Sequence, residues 1–201
     1  MKLYYAPGAC SLSTHIALRE AGYDVDLVKV DLASKKTETG DDFYAIAAKG
    51  QVPALKLDTG EVLTEGSAIV QYVADQKPEK KLAPAAGSMA RYRLVEWLNY
   101  VASEMHKAVG ALFNKKYSDD TKQIMKDALK PKFDYLSAQL KDRSFLMGDV
   151  FTVADGYLFT ILSWTSHVGV DLSKWPVLTN YVARIGARPA VQATLKAEGL
   201  I

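Results

Sequence analysis

The sequence predicts two unlike parts in series, an α/β unit followed by an all-helical one. Three observations predict this. Strand and helix signals alternate over roughly the first 76 residues, in the order β-α-β-α-β-β-α. A linker-like stretch, Lys77 to Gly87, follows with Pro78, Pro84 and Gly87. Beyond it every strong apolar repeat has helical spacing. The boundaries expected are residues 1–80 for the first domain and 87–201 for the second, each of ordinary domain size.

Leu3 to Tyr5 is the first strand. Leu12, Ile16, Ala17 and Leu18 mark a helix that ends near Gly22. Leu27-Val28-Lys29-Val30 alternates as a strand does, and Lys35 and Lys36 fall in a polar loop. A short helix near Asp41 to Ala47 precedes a hairpin built from Ala54 to Leu57, the turn Asp58-Thr59-Gly60 and Val62-Leu63. A helix starting at Glu65 or Ser67 and running to Asp75 closes the unit. In the second part, Leu94, Leu98, Val101, Met105, Ala108 and Leu112 form one helical stripe. Met125, Leu129, Phe133, Leu136 and Leu140 form another, with Pro131 predicting a kink or a break inside it. Val153 to Val168 is apolar on nearly every face, the mark of a helix central to a bundle. Thr152 and Asp155 stand as its N-cap and N3 acid. Trp175 to Ala187 and Ala190 to Ala197 supply the last helices, with Pro189 suited to a helix start.

Composition removes several function classes. Apolar residues make up 49% of the 201, enough for a sizeable core, yet no run nears 18 residues. No membrane partner is therefore expected. Met1-Lys2-Leu3-Tyr4-Tyr5 enters a strand at once and lacks the apolar stretch of a signal peptide. A single cysteine forms no internal disulfide, and these features together point to the cytoplasm. The net charge is +2 with scattered basic residues, which argues against a nucleic-acid partner. His15 and His167 have no metal-ligand spacing, so no metal site is expected.

Cys10 carries the strongest chemical signal. It follows the turn Pro7-Gly8-Ala9 and sits where a helix begins. Free N–H groups and the positive helix end there favour an anion, so a lowered thiol pKa is expected. Position 13 is Ser13 rather than a second cysteine, so any redox cycle needs an external thiol. In Gln51-Val52-Pro53-Ala54, Pro53 is open to two readings. It either starts a strand or is a cis-proline that leaves the Val52 backbone N–H and C=O for an extended peptide. Glu65 and Ser67 are helix caps, and the N–H groups beside them also suit a carboxylate. Lys35 reads by default as a solvated loop charge. Tyr92, Glu96, Asn99, Ser103 and His106 form a polar stripe that periodicity alone assigns to solvent, and His106 with Lys107 adds a polar wall to a cleft.

Taken together, the chain resembles the cytosolic glutathione S-transferases, and most closely the bacterial beta class. The carriers are Met1 to Tyr5, Pro7 to Ser13, Lys49-Gly50-Gln51-Val52-Pro53-Ala54-Leu55 and Leu63-Thr64-Glu65-Gly66 with Ala68 to Tyr72. Glu96 to Tyr100, Ser103 to Lys107, Phe151 to Asp155 and Ala197 to Leu200 complete them. The chain departs from the family at Ala47-Ala48, where Asn-Pro is usual, at Gly156, where alanine is usual, and at Pro131, where the pattern usually continues as helix.

The resemblance implies a thioredoxin-like N-terminal domain, a helical-bundle C-terminal domain and a homodimer. It implies glutathione as co-substrate, no permanently bound cofactor, and a small hydrophobic electrophile as second substrate. Cys10 and His106 would be catalytic. Cys10 would face the glutathione sulfur, Val52 would pair with the cysteinyl backbone, and Pro53 would be cis. Glu65 and Gly66 would hold the γ-glutamyl end and Lys35 the glycine carboxylate. Asn99, Ser103, Glu104, Met105 and His106 would contribute from the helical domain, some across the dimer interface, while Pro53, Thr152 and Asp155 would be structural. The implied activity is conjugation of glutathione to electrophiles in detoxification of xenobiotics, with thiol-transferase or peroxide-reducing activity through Cys10 beside it. The competing readings are a non-enzymatic protein-binding module on the same fold and a dedicated dehalogenase or isomerase.

Overall fold

A computed structural model of the chain describes all of residues 1–201. It divides into two compact units, residues 1–83 with 188–201, and residues 84–187.

The first unit is a five-stranded mixed sheet with helices on it. In chain order it contains β1 (Lys2–Tyr5), α1 (Ser11–Glu20), β2 (Asp26–Asp31), β3 (Lys36–Thr37), α2 (Phe43–Ile46), β4 (Ala54–Lys56), β5 (Val62–Thr64) and α3 (Gly66–Asp75). The strand order across the sheet is β3-β2-β1-β4-β5. β1 pairs parallel with β2 and antiparallel with β4. This is the thioredoxin-like arrangement, with one addition. Lys36, expected in a loop, lies with Thr37 in a two-residue edge strand paired to Val30 and Asp31. So short a strand leaves no alternation to read.

The pleat sorts β1 between two faces. Tyr4, opposite Ala54, joins Ala6, Val30, Phe43, Ala47 and Val52 in one core cluster. Leu3, opposite Leu55, falls on the other face, and both are fully buried. Ala47 lies inside that first cluster. Its carbonyl accepts from the Gly50 N–H at 2.7 Å, closing the turn ahead of Val52.

α9 (Pro189–Ala197) belongs by contact to this unit rather than to the helical one, because it packs on α1. Residues 188–201 therefore depart from the expected 87–201 grouping. Val191 and Thr194 are fully buried, and Arg188 forms a two-point ion pair with Glu20 at 2.6 and 2.9 Å. Helical periodicity identifies such a helix without telling what it packs against.

The second unit is all-helical, with α4 (Met89–Tyr100), α5 (Lys107–Ala111), α6 (Asp119–Leu140), α7 (Val153–Ser163) and α8 (Pro176–Gly186). Between α4 and α5 the chain continues through a π-helical stretch, Val101–His106. That wider turn carries the buried stripe to Val109 instead of the half-buried Ala108. Of the kink or break expected at Pro131, the break does not occur: α6 runs unbroken through it. Pro131 is exposed, and Leu129, Phe133, Leu136 and Leu140 bury the helix on both sides of it. A proline costs roughly 3 kcal/mol inside a helix, and burial of four large side chains at roughly 1.5–3 kcal/mol each outweighs that.

α7 is central, with Val153 through Leu162 all buried. Its start is fixed by a capping box. Asp155 accepts from the Thr152 N–H and hydroxyl at 2.8 and 3.0 Å. Its other oxygen accepts from the Leu146 N–H and the Tyr181 hydroxyl, both at 2.8 Å. No helix is long and apolar enough to cross a membrane.

Candidate functional site

Six of the expected site residues, Cys10, Lys35, Val52, Pro53, Glu65 and Gly66, form one linked patch in the first unit. Cys10 occupies the N-cap of α1, where its side chain makes no capping bond. Its thiol instead donates to the Val52 carbonyl at 3.1 Å. The Val52–Pro53 bond is cis. Gly66, the first residue of α3, lies so that a Cβ on it would sit 3.8 Å from Pro53 Cγ. Lys35 donates to the Gly50 carbonyl at 2.8 Å, and Lys49 pairs with Glu65.

Two residues of the patch hold left-handed backbone, Lys35 at φ 57° and Glu65 at φ 73°. Neither is glycine, and such conformations cost of order 1–3 kcal/mol each. Glu65 marks the N-cap of α3 without a side-chain cap bond, so its carboxylate is not committed to the helix. Ser67, read as a cap, does not cap either; its hydroxyl is buried with no partner.

The structure corrects two points about Cys10. Its pKa is pushed up, to about 11, rather than down. Burial is the main cause and the nearby Glu65 charge adds to it, while the Cys10 and Ser11 backbone N–H groups act the other way. The helix start stabilises the thiolate, as expected, but loses to desolvation. Nor is the Val52 carbonyl free, since the thiol occupies it.

The Cys10 loop is clamped from the far end of the chain. Buried Glu198 accepts from the Gly8 N–H and meets His15 Nδ1, each at 2.9 Å. Arg19 Nε donates to the other His15 nitrogen at 3.3 Å. Ser11 bridges the Ala6 N–H and carbonyl at 3.2 Å, which fixes the turn from the other side.

The remaining candidates lie along α4 and the π-helical stretch of the second unit. Asn99, Ser103 and Glu104 are exposed. The Ser103 hydroxyl donates to the Asn99 carbonyl at 2.9 Å, and Glu104 pairs with Lys132. Met105 is fully buried, so its side chain serves the core and is not available to a ligand. His106 is half-buried, with Nδ1 2.7 Å from the Tyr157 hydroxyl and its ring edge-on to Trp164 at 5.0 Å.

Burial, reinforced by the adjacent Lys107 charge, lowers the His106 pKa from its usual 6.5. The neutral ring is thus the native form. As pH falls through about 6.5, the unfolded chain takes up this proton before the folded one, so the stability it contributes is lost on acidification. A proton NMR titration is expected to give a His106 midpoint below 6.5; a midpoint above it would contradict the desolvated setting.

Sequence reasoning missed three participants. Glu198 was legible only as part of the terminal Ala197-Glu198-Gly199-Leu200 segment, and His15 only as a histidine without metal spacing. Their pairing spans 183 positions, which no local pattern reveals. Tyr157 reads as one more apolar member of a buried helix, and its hydroxyl was the sole clue.

Comparison with known proteins shows the family. A family model described as the glutathione S-transferase N-terminal domain matches residues 1–75, and one for the C-terminal domain matches residues 100–189. Glutathione S-transferase GstA of Escherichia coli O157:H7 is 47% identical over 200 residues, covering 100% of both chains. A sphingomonad glutathione S-transferase solved in complex with glutathione is 50% identical, with a TM-score of 0.96 and 100% of both chains covered. The bacterial beta class glutathione S-transferase of Sphingomonas chungbukensis is 52% identical at TM-score 0.96, again over 100% of both.

Proposed function

Because the chain belongs to the glutathione S-transferase family, and within it to the bacterial beta class, we propose that it conjugates glutathione to small hydrophobic electrophiles using the patch around Cys10. The observation that carries this is the linked set of Cys10, Val52, Lys35 and Glu65. It offers one acceptor, one cation and one anion along a single extended surface. That order suits γ-Glu-Cys-Gly. Val52 pairs with the cysteinyl backbone once the Cys10 thiol turns from its carbonyl to the glutathione sulfur. Lys35 turns from the Gly50 carbonyl to the glycine carboxylate. Glu65 takes the γ-glutamyl ammonium, and the Gly66 and Ser67 end of α3 takes its carboxylate.

The mechanism follows from the electrostatics. Glutathione reacts as a thiolate, whose charge must be held in a partly desolvated place. Cys10, neutral in the free protein, supplies an S–H donor to that sulfur. An ammonium on Glu65 offsets one of the causes that raise the Cys10 pKa. The second activity uses the same thiol. Cys10 thiolate attacks a disulfide RS–SR′, releases R′S⁻ and forms a mixed disulfide with RS. A glutathione thiolate then displaces Cys10, and RS leaves joined to glutathione.

From the helical unit, Asn99, Ser103, Glu104 and His106 serve ligand binding, some of them across the interface of a homodimer. The protein works in a reducing compartment, the cytoplasm, on xenobiotic electrophiles. The reading of a protein-binding module has no observation in its favour.

The test is conjugation of glutathione to a panel of aromatic and alkyl electrophiles, with retention on immobilised glutathione. Lys35→Ala is expected to raise the glutathione KM about tenfold, the worth of one charged hydrogen bond at roughly 1.5 kcal/mol, with kcat little changed. No conjugation across the panel would sink the proposal. An unchanged KM would remove Lys35 from it.

A further inference from the structure

Within the second unit, His106 closes the π-helical stretch, a kind of turn that recurs where side chains must be aimed. Its ring stands against Trp164, and Trp164 in turn meets Phe113 edge-on at 5.9 Å. Trp164 is buried and the Tyr157 ring also meets His106 edge-on at 5.9 Å, so aromatic packing holds an imidazole that is itself only half-buried. Only one ring nitrogen is engaged. Nδ1 meets the Tyr157 hydroxyl at 2.7 Å, and Nε2 has no partner. Tyr157 is 4% exposed and lies on α7 two residues beyond Asp155. The capping box and Tyr181 anchor that end of α7. The hydroxyl is thus a fixed point, while the half-buried imidazole is the group that has to be oriented.

We propose that Tyr157 is a positioning residue for the conjugation reaction: its hydroxyl donates to His106 Nδ1, which places the imidazole proton on Nε2 and aims that N–H out of the aromatic cluster. A phenol is a better donor than acceptor, because its lone pair is delocalised into the ring, and a neutral imidazole has one nitrogen free to accept. An Nε2–H held in one direction is a ready donor for negative charge that develops in the reaction. An oriented donor costs no reorganisation at that moment. Without the hydroxyl the ring keeps its packing but loses the bias between its two tautomers. The inference rests on the proposed conjugation and on His106 taking part in it.

The decisive variant is Tyr157→Phe, which keeps the ring and removes one oxygen. Its first readout needs no substrate. In protein labelled with ¹⁵N-histidine, the wild type is expected to show neutral His106 as a single Nε2–H tautomer, and Tyr157→Phe a mixture. The second is kinetic. The variant is expected to lose about fivefold in kcat with the glutathione KM unchanged, and His106→Gln is expected to lose at least as much.

A wild-type His106 spectrum in Tyr157→Phe, or an Nδ1–H tautomer in the wild type, would overturn the proposal whatever the activity. So would full kcat in His106→Gln while the wild type conjugates, a result that leaves glutathione conjugation itself standing. A parallel rise in glutathione KM would mark the hydroxyl as merely structural. Failure of the wild type to conjugate at all, by contrast, would strike the parent reading and show as absent activity with the tautomer intact.

Discussion

Replacing Asp155 by alanine is expected to lower the stability of the protein by about 4 kcal/mol or more, among the largest effects of any single side chain here. The carboxylate is fully buried and accepts four hydrogen bonds, from the Leu146 and Thr152 N–H groups and the Thr152 and Tyr181 hydroxyls. Truncation leaves these donors in the interior without an acceptor, at roughly 1–3 kcal/mol each, partly relieved by rearrangement of the hydroxyls. It also removes the cap of α7, worth about 1 kcal/mol. For a chain of this size the loss corresponds to a fall in Tm of about 10 °C. Asp155→Asn keeps one acceptor oxygen and is expected to cost roughly half as much. Thermal unfolding of the two variants checks this, and a fall below about 3 °C in the alanine variant would refute it. Burial raises the Asp155 pKa despite those four bonds. With a folded pKa above the unfolded one, this group favours folding most at low pH, and that part is lost as pH rises past its folded pKa.

Cys10 gives the second large effect, and it separates two activities. Cys10→Ser and Cys10→Ala are both expected to abolish disulfide reduction, because neither side chain forms a mixed disulfide. Conjugation is expected to divide them. Serine keeps an X–H donor at the N-cap of α1 and should stay within about twofold of the wild type. Alanine loses one hydrogen bond to a charged sulfur, about 1.5 kcal/mol, or roughly tenfold in rate.

The raised pKa gives an independent check on the free protein. Moving a thiol from about 8.5 to about 11 cuts its thiolate fraction at pH 7.5 roughly 300-fold. The more basic thiolate regains roughly tenfold in nucleophilicity. Iodoacetamide should therefore react about 25-fold more slowly with Cys10 than with free cysteine. Addition of S-methylglutathione, which brings an ammonium to Glu65, should narrow that gap for the thiol left accessible. Alkylation as fast as free cysteine, or conjugation lost equally in both variants, would overturn this account.

How much of this was legible in the sequence depended on the range of the interaction. Short-range signals served well: the Pro-Gly turn before Cys10, the cis-proline reading at Pro53 and the Thr152–Asp155 cap all have local causes. The direction of the Cys10 pKa did not follow, because the helix start is visible in the sequence while the burial around the thiol is a property of the folded interior. The polar stripe on α4 separated in the same way. Periodicity put Met105 in the buried stripe and Asn99, Ser103 and His106 on a polar face, but the π-helical stretch carries the buried stripe on to Val109 instead of Ala108, and His106 meets Tyr157. A single extra residue in a turn leaves no mark on a hydrophobic pattern. The Glu198 clamp and the seat of α9 depended on contacts between opposite ends of the chain.

That last placement bears on how the protein is made. A ribosome delivers residues 84–187 before it delivers residues 188–201, so the helical unit has its full complement of chain while the α/β unit still lacks a helix. During that interval α1 has no Val191 or Thr194 against it, Glu20 has no Arg188, and the Gly8 N–H has no carboxylate to hold it. The loop that bears Cys10 therefore reaches its final form only after residues 188–201 have been made. Until then the one reactive sulfur of the nascent chain stands in an unfinished wall.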